Sequence, residues 1–406
     1  MTWAAEDGGP RRQQLASGRL LEAGDTLTVT RRDVLAATMV VWLGERLYLL
    51  RHTGGDDATV AVEEINPLTL ETIRSTPDLP AGPAWPGGLA AHATGSLHVV
   101  FGRRAYRLSP ELDVLASVEL PRHAPYNSFV ILSDGTLVTK DFSGSRPGHF
   151  VPAHERRTSE LVALHPETLA ILDTCELSEP SIARLSATDS TVYIVGDTSL
   201  LRVEWNGHSF EPDRHFSARY RLSEGQGYGW DAAIHNRFAW FLDNGEGSEN
   251  FDGTLRGHGV ATDPLHLVRV DLESGEVELT DICGLPGGLI ANPPVIDPVR
   301  GLAVGYDSGN GVVAAFDTET LEKRWSRSQD HASHLILYAE SGELVTGDGN
   351  DTVILDVATG TELARAQQTT TLQSVLFPTP GRDRDLYVTS FLSLARVTAV
   401  RSTPTR

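Results

Sequence analysis

The stretch Ser333–Gln367, SHLILYAESGELVTGDGNDTVILDVATGTELARAQ, decides the fold of this chain. Short segments of alternating apolar and polar residues are separated by turns containing Gly, Asn and Asp, and this pattern predicts β-hairpins. The predicted strands are Leu335–Tyr338, Glu343–Gly347, Thr352–Asp356 and Glu362–Arg365. Because a lone four-stranded meander cannot bury both of its faces, it requires neighbours of the same kind.

The second strand of this unit recurs along the chain. Its copies start at Leu47, Leu97, Leu137, Val192, Phe238, Leu302, Leu344 and Leu386. Successive copies lie 40 to 64 residues apart, with a mean of about 48. A period in the forties with four strands per unit is typical of β-propellers. The sequence therefore predicts an all-β, eight-bladed β-propeller of four-stranded antiparallel blades.

A turn motif recurs after the third strands. In VRVDLESGE, AAFDTETLE and ILDVATGTE an apolar pair leads into a polar turn, and the fourth strand follows. The side chain of Asp caps the backbone of such a turn, and Gly supplies the positive φ that closes it. These repeats resemble those of the quinoprotein-like and YVTN-like propellers over about residues 34–400. The resemblance implies the propeller fold and leaves the chemistry open.

The last repeat is incomplete, because residues 372–400 contain only three strand patterns. Leu27–Thr30, an isolated strand pattern near the N-terminus, can supply the missing outer strand. Such pairing closes the ring and removes an exposed sheet edge that would otherwise promote aggregation. We expect a flexible segment at residues 1–26, one propeller domain at 27–400 and a short tail at 401–406.

The overall charge limits the classes of partner. A formal net charge of −20 and a pI near 5.1 argue against nucleic acid and anionic membrane surfaces. The N-terminal stretch MTWAAEDGGPRRQQ lacks the apolar core of a secretion signal, and no apolar run reaches the length of a membrane span. We expect a cytoplasmic protein with a small-molecule substrate, and a protein partner is compatible with the same features.

One mouth of the channel is the expected place for function. The first strand of each blade lines the channel of a propeller, and the loops that lead into the first strands form one mouth. Loops between second and third strands open on the same face, and function in repeat architectures usually lies where loops converge. Two of these loops are long, residues 141–157 and 243–264.

Polar residues precede or begin several first strands at this mouth. They are Asn127, Glu179, Asp231, Asn292 and His334. Converging carboxylates, amides and imidazoles suit an acid–base site or a hard-cation site. By residue type, Asn127, Glu179, Asp231 and Asn292 resemble the calcium set of gluconolactonase- and paraoxonase-type propellers, which have six blades. The resemblance implies calcium as a candidate ion. The alternative is that the mouth is polar only because water fills it.

The candidate catalytic residues are Asp231, His334, His331, Lys140 and Asp243. His331 and His334 are three residues apart, and either is a candidate general base near neutral pH. Lys140 ends the strand before the first long loop, where it is either an anion-binding or basic group or a solvated strand-end lysine. Asp243 begins the second long loop. Aspartates recur at this position in five blades, which also suits a structural role in closing the loop.

Several types of chemistry are disfavoured by missing motifs. The sequence has no Gly-rich phosphate loop, no Gly-x-Ser-x-Gly elbow and no zinc-binding His-x-x-Glu-His. It also lacks the adjacent cysteine pair of quinoprotein dehydrogenases, so pyrroloquinoline quinone is not expected as a cofactor. The leading interpretation is a hydrolase, lyase or isomerase that uses acid–base or metal-assisted chemistry at the channel mouth. The alternative is a non-catalytic scaffold that binds other proteins.

Overall fold

Eight antiparallel sheets surround a central channel and form an eight-bladed β-propeller of four-stranded blades. The computed structural model describes residues 3, 5–146, 149–216, 218–243, 245–247, 254–289, 292–330, 334–370, 374–379, 382 and 384–401. The eight second strands predicted from the sequence are all confirmed as second strands.

The first strand of each blade lies at the channel, and the next three follow it outward. Blade 1 consists of Ala37–Leu43, Arg46–His52, Ala58–Ile65 and Thr72–Ser75; blade 2 of Gly88–Ala91, Leu97–Phe101, Arg104–Leu108 and Val114–Glu119; blade 3 of Tyr126–Ile131, Leu137–Asp141, Glu160–Leu164 and Ile171–Glu176; and blade 4 of Ser186–Thr188, Thr191–Val195, Ser199–Trp205 and Phe210–Pro212. Two further strands, Leu79–Gly82 and Ala218–Arg219, pair with the third strands of blades 1 and 4.

The second half of the ring repeats this plan. Blade 5 consists of Ala233–His235, Phe238–Leu242, His266–Asp271 and Val277–Asp281; blade 6 of Val295–Asp297, Leu302–Asp307, Val312–Asp317 and Lys323–Ser328; blade 7 of Leu335–Tyr338, Glu343–Asp348, Asp351–Asp356 and Glu362–Ala366; and blade 8 of Ser374–Pro378, Asp385–Ser390, Ser393–Arg401 and Asp25–Asp33. In the ranges given above, the helical residues form two short 3₁₀ turns, Glu6–Gly8 and Ala153–Glu155. In the described part of the chain no helix has the length and hydropathy needed to cross a membrane.

In blades 1, 2 and 8, the second residue of the predicted second-strand motif is Tyr48, His98 and Tyr387, and its side chain hydrogen bonds to the next blade. The Tyr48 hydroxyl donates to the carbonyl of Pro110 at 2.8 Å, and the Tyr387 hydroxyl donates to the carbonyl of Pro67 at 3.0 Å. His98 Nε2 bonds the carbonyl of Pro166 in the same way. Each acceptor lies in the turn before the fourth strand of the next blade, so these three bonds join adjacent blades at equivalent places.

The turn motif forms the caps expected from its sequence. The Oδ1 atoms of Asp271, Asp317 and Asp356 each accept two backbone N–H groups, at distances between 2.7 and 3.2 Å. These bonds satisfy backbone donors that the tight turn would otherwise leave unpaired.

The ring closes through its N-terminal strand, as predicted. Asp25–Asp33 pairs antiparallel with Ser393–Arg401 along its whole length and becomes the outer strand of blade 8. The observed strand is longer than the predicted Leu27–Thr30. An ion pair between Arg32 and Glu63, at 2.7 Å, links this strand to blade 1.

The chain before this strand differs from the flexible segment expected for residues 1–26. Its described part passes through the channel. Leu15–Ala16 forms a short parallel pairing with the first strand of blade 7. Glu6, Asp7, Arg12 and Gln14 are buried. The physical reason is that the inner edges of the first strands offer unpaired backbone groups, which this segment occupies.

Candidate functional site

A cavity of about 250 Å³ lies at the predicted mouth of the channel. Loops that lead into first strands contribute Trp85, Arg184, Trp230 and Asn292 to its wall. The two long loops contribute Arg146 and Leu255. Both kinds of loop therefore converge at this cavity, as the propeller geometry required.

Contacts between loops hold the aromatic wall in place. The ring of Trp85 stacks on Phe142 of the first long loop, with centroids 4.4 Å apart and an angle of 18° between the planes. Arg146 Nη2 lies 2.6 Å from Asp56 Oδ1, so the same loop is tied across to blade 1. The cavity is thus bounded by elements from distant parts of the chain.

The N-terminal segment closes the channel by hydrogen bonding to four blades. The carbonyls of Pro10, Arg11 and Gln14 accept the backbone N–H groups of Ala187, Ile234 and Leu337, at 2.7 to 3.0 Å. The Gln14 amide also donates to the carbonyls of Pro293 and Pro294. The partners of the segment in these bonds belong to blades 4, 5, 6 and 7, so the segment supports half of the ring from inside.

Arg12 is the central cation of this segment. Its Nη1 lies 2.5 Å from Asp7 Oδ2 and 3.3 Å from Glu6 Oε2. Its Nε donates to the carbonyl of Leu185 at 2.6 Å, and its Nη2 donates to Ser128 Oγ at 3.1 Å. A buried guanidinium is tolerated only with partners of this kind, since an unpaired buried charge is very costly.

Arg184 and Asp231 extend these contacts toward the cavity. Both Asp231 oxygens are engaged, Oδ1 by the Arg184 backbone N–H at 2.6 Å and Oδ2 by Arg184 Nη1 at 3.2 Å. Arg12 Nη1 lies 3.9 Å from the same Oδ2. Arg184 Nε is 3.2 Å from Glu6 Oε2. We call Glu6, Asp7, Arg12, Arg184 and Asp231 the plug network.

His334 joins the plug network through Asp7. Its Nδ1 accepts the backbone N–H of Leu376 at 3.2 Å, so its Nε2 carries the proton and donates to Asp7 Oδ1 at 2.7 Å. Burial raises the pKa of Asp7, but the bond from His334 and the charge of Arg12 outweigh burial and hold that pKa at about 2. Asp7 is therefore a fixed anion that orients both partners.

Glu6 is the acidic member of the plug network that lines the cavity. Burial raises the pKa of Glu6, against the lowering effects of Arg184 and Arg12. A carboxyl group that keeps its proton to higher pH, at the wall of a cavity, is suited to exchange a proton with a bound molecule.

The structure thus links several residues predicted from the sequence. Asp231 and His334 belong to one buried network, although neither lines the cavity. Asn292 lines the cavity wall. Asn127 is buried and its amide donates to the carbonyl of Ile182 at 3.4 Å. His331 lies outside the described residues.

Glu179 and Asp243 are placed in loops of their own blades. Glu179 Oε2 accepts the backbone N–H of Thr198 at 2.5 Å, so it caps the second-to-third loop of blade 4. Asp243 accepts Gln226 Nε2 at 2.8 Å, and its two oxygens accept the backbone N–H and the Nδ1–H of His266, each at 2.7 Å. Burial raises the pKa of Asp243, and the bond to Asp243 raises the pKa of His266 despite the opposing effect of burial. Both carboxylates therefore fix loops.

The calcium set suggested by residue type does not present free oxygens together. Asp231 is neutralised by guanidinium groups, and Glu179 caps its own loop. Within the ranges that the structure describes, no group of three or more His, Cys, Asp or Glu side chains is arranged to hold a metal ion.

Lys140 is fully buried and donates to two carbonyls, of Asp141 at 2.7 Å and of Ser181 at 2.9 Å. Burial lowers its pKa to about 8, although the carboxylates of Asp141 and Asp231 favour the charged form. It does not line the cavity. Its place is between blades 3 and 4, where a neutral amine can still donate both hydrogen bonds.

Lys140 gives a prediction about pH. Because its folded-state pKa lies below its ordinary value of 10.5, the unfolded chain binds more protons between about pH 8 and 10.5. The free energy of unfolding of the wild type should therefore rise relative to that of Lys140→Met over this range, by about 3 kcal/mol at most. Denaturant titrations at several pH values measure the difference. The chain has one other lysine, exposed Lys323, and Lys323→Met is the matched control. Identical pH dependence in the two variants would contradict the prediction.

The plug network contains residues that sequence reasoning missed: Glu6, Asp7, Arg12 and Arg184. The available signal was the dense grouping of charges and turn residues in EDGGPRRQ, within a stretch otherwise assigned as flexible. The repeat pattern does not predict that this stretch is buried, because its hydrogen-bond partners lie in several different blades.

Comparisons with known proteins identify the fold. No protein-family model and no curated protein sequence matches this chain. Among solved structures, BamB from Moraxella catarrhalis has a TM-score of 0.63 at 13% identity, covering 92% of this chain and 100% of BamB. Quinohemoprotein alcohol dehydrogenase ADHIIG from Pseudomonas putida HK5 has a TM-score of 0.66 at 10% identity, covering 100% of this chain and 81% of that chain. The quinohemoprotein alcohol dehydrogenase of Comamonas testosteroni has a TM-score of 0.62 at 11% identity, and the match covers 100% of this chain and 82% of that chain. The quinoprotein-like resemblance is thereby confirmed at the level of fold.

Proposed function

We propose that the protein is an enzyme that acts on a small molecule bound in the mouth cavity, with Glu6 exchanging a proton with the substrate. The observation that carries this proposal is a buried carboxyl group with a raised pKa at the wall of an aromatic cavity. A carboxyl group whose pKa is raised by burial can keep its proton and serve as a general acid.

The plug network supports this role by orienting Glu6. Arg12 and Arg184 both approach Glu6 Oε2, which fixes the carboxyl plane. Asp231 holds Arg184, and the His334–Asp7 pair holds Arg12. In this proposal Asp231 and His334 are positioning residues, since they act through the arginines. The reaction class is hydrolysis, elimination or isomerisation, in which proton transfer is the central step.

A protein-binding role is the second candidate. Apolar side chains are exposed on the outer strands of adjacent blades: Val114 and Leu115 on blade 2, and Ile171 and Leu172 on blade 3. Exposed apolar patches can mark interaction sites on monomeric proteins. This role would use the side of the ring and is independent of the cavity.

The enzyme proposal predicts that Glu6→Gln loses turnover while the fold persists. Phenyl acetate, dihydrocoumarin and styrene oxide provide ester, lactone and epoxide substrates of suitable size. We expect turnover of at least one by the wild type and a loss of about 10²- to 10⁴-fold in kcat for Glu6→Gln. For general-acid action, kcat should fall as pH rises through the raised pKa of Glu6.

The matched control is Glu45→Gln, because the Glu45 side chain is exposed on the surface. It should retain wild-type turnover. Absence of turnover with all three substrates, or equal activity of Glu6→Gln and the wild type, would contradict the proposal.

A further inference from the structure

Among the residues that the structure describes, the charged groups at the cavity wall have partners within the protein. Arg146 pairs with Asp56, and Arg184 pairs with Asp231 and Glu6. Glu6 in turn lies 3.3 Å from Arg12. A charged ligand would therefore meet no unpaired counter-charge among these described residues and would have to break one of the pairs.

The rest of the wall is mainly apolar. Trp85, Trp230, Leu255, Val375 and Phe391 supply most of its large side chains. Bringing an ion against such a wall removes water from the ion without replacing the lost hydrogen bonds, which is unfavourable unless a partner of opposite charge is supplied. Apolar atoms, in contrast, are stabilised by leaving water.

The size of the cavity also limits the ligand. Its volume is about 250 Å³. An apolar cavity of about 150 Å³ accommodates benzene, so this cavity has space for one substituted ring. Glu6, Thr38 and Asn292 bring polar side chains to the wall, where they can bond an amide, hydroxyl or carbonyl group on that ring.

We infer that the cavity takes an uncharged, mainly apolar single-ring molecule with one hydrogen-bonding substituent. This inference rests on the proposed function in naming the substrate class of the same cavity.

Three nearly isosteric probes test the inference. Benzamide is neutral, benzoate is an anion and benzamidine is a cation, while ring and substituent have nearly the same shape. Calorimetric titration of the full chain with each probe gives three dissociation constants. The probe concentration should reach roughly 10 mM, because fragments of this size bind weakly. We expect benzamide to bind more tightly than either ion by a factor of about ten or more.

Variants of the cavity wall assign the binding to this place. Ala84→Trp fills the cavity and should abolish benzamide binding, whereas Ala170→Trp, on an exposed turn, should not. Val375→Phe is a second filling variant in case the first does not fold. The inference is overturned if benzoate or benzamidine binds as tightly as benzamide. It is also overturned if no probe binds saturably, or if binding survives both filling variants.

The outcomes separate this inference from the proposed function. If benzamide binds in the cavity while Glu6→Gln keeps full turnover, the proposed function fails and the substrate class stands. If turnover depends on Glu6 but the preferred ligand is charged, the enzyme proposal stands and the substrate class is wrong.

Discussion

Deletion of residues 1–33 should destabilise the protein more than any single substitution. The deletion removes the outer strand of blade 8, which pairs with Ser393–Arg401 over nine residues. At a net ~0.5–1.5 kcal/mol per hydrogen bond, the loss amounts to roughly 5 kcal/mol or more. The freed strand edge is also a template for pairing with other chains, so the truncated protein should self-associate.

Two comparisons isolate the strand from the channel segment. Deletion of residues 1–21 leaves Asp25–Asp33 in place, so this shorter truncation should stay monomeric although it loses the plug network. A synthetic peptide of residues 22–34, added to the longer truncation, should restore part of its stability. Thermal unfolding and light scattering measure both effects. A longer truncation that is as stable and monomeric as the shorter one would contradict closure of the ring by this strand.

Replacement of Arg12 by Met should be the most damaging single substitution. Arg12 is buried and contacts two carboxylates, a carbonyl and a hydroxyl group. Removing one member of a buried ionic network leaves its partners uncompensated, which costs about 3–5 kcal/mol. Hydrogen exchange of the backbone at residues 6–16 should accelerate, because Arg12 ties this segment to blades 3 and 4.

The control for Arg12→Met is Arg31→Met on the outer strand of blade 8. Arg31 pairs with the exposed carboxylate of Asp33, and surface pairs of this kind contribute about 0–1 kcal/mol. The double variant Arg12→Met with Asp7→Asn should lose less free energy of unfolding than the sum of the losses of the two single variants, because the two opposite charges are removed together. Additive losses, or wild-type stability of Arg12→Met, would show that the plug network does not hold the segment.

The fold was predictable because it is built from repeats. The second strands have similar apolar patterns at a period of about 48 residues, and several third strands are followed by a similar polar turn, so the pattern of one blade supports the strand assignments of the others. The missing fourth strand of blade 8 was itself a signal, since a propeller must close. The pairing of Asp25–Asp33 with the last blade followed from that requirement.

The candidate site was predictable only in its location. Converging loops placed it at one mouth, and Asn292 lies there. The plug network was not predictable, because its contacts join residues as far apart as Asp7 and His334 with no recurring pattern. Local patterns carry no information about such contacts. Asp243 illustrates the opposite case, since its recurring position after a second strand corresponded to a structural role.

The most direct test of this account is a crystal structure of the full chain soaked with benzamide. We predict that residues 6–16 occupy the channel and that Glu6 lies at the wall of the mouth cavity. Benzamide should lie in the cavity against Trp85 and Trp230, within hydrogen-bond distance of Glu6. An open channel with the N-terminal segment outside it, or benzamide bound elsewhere with the cavity empty, would contradict the account.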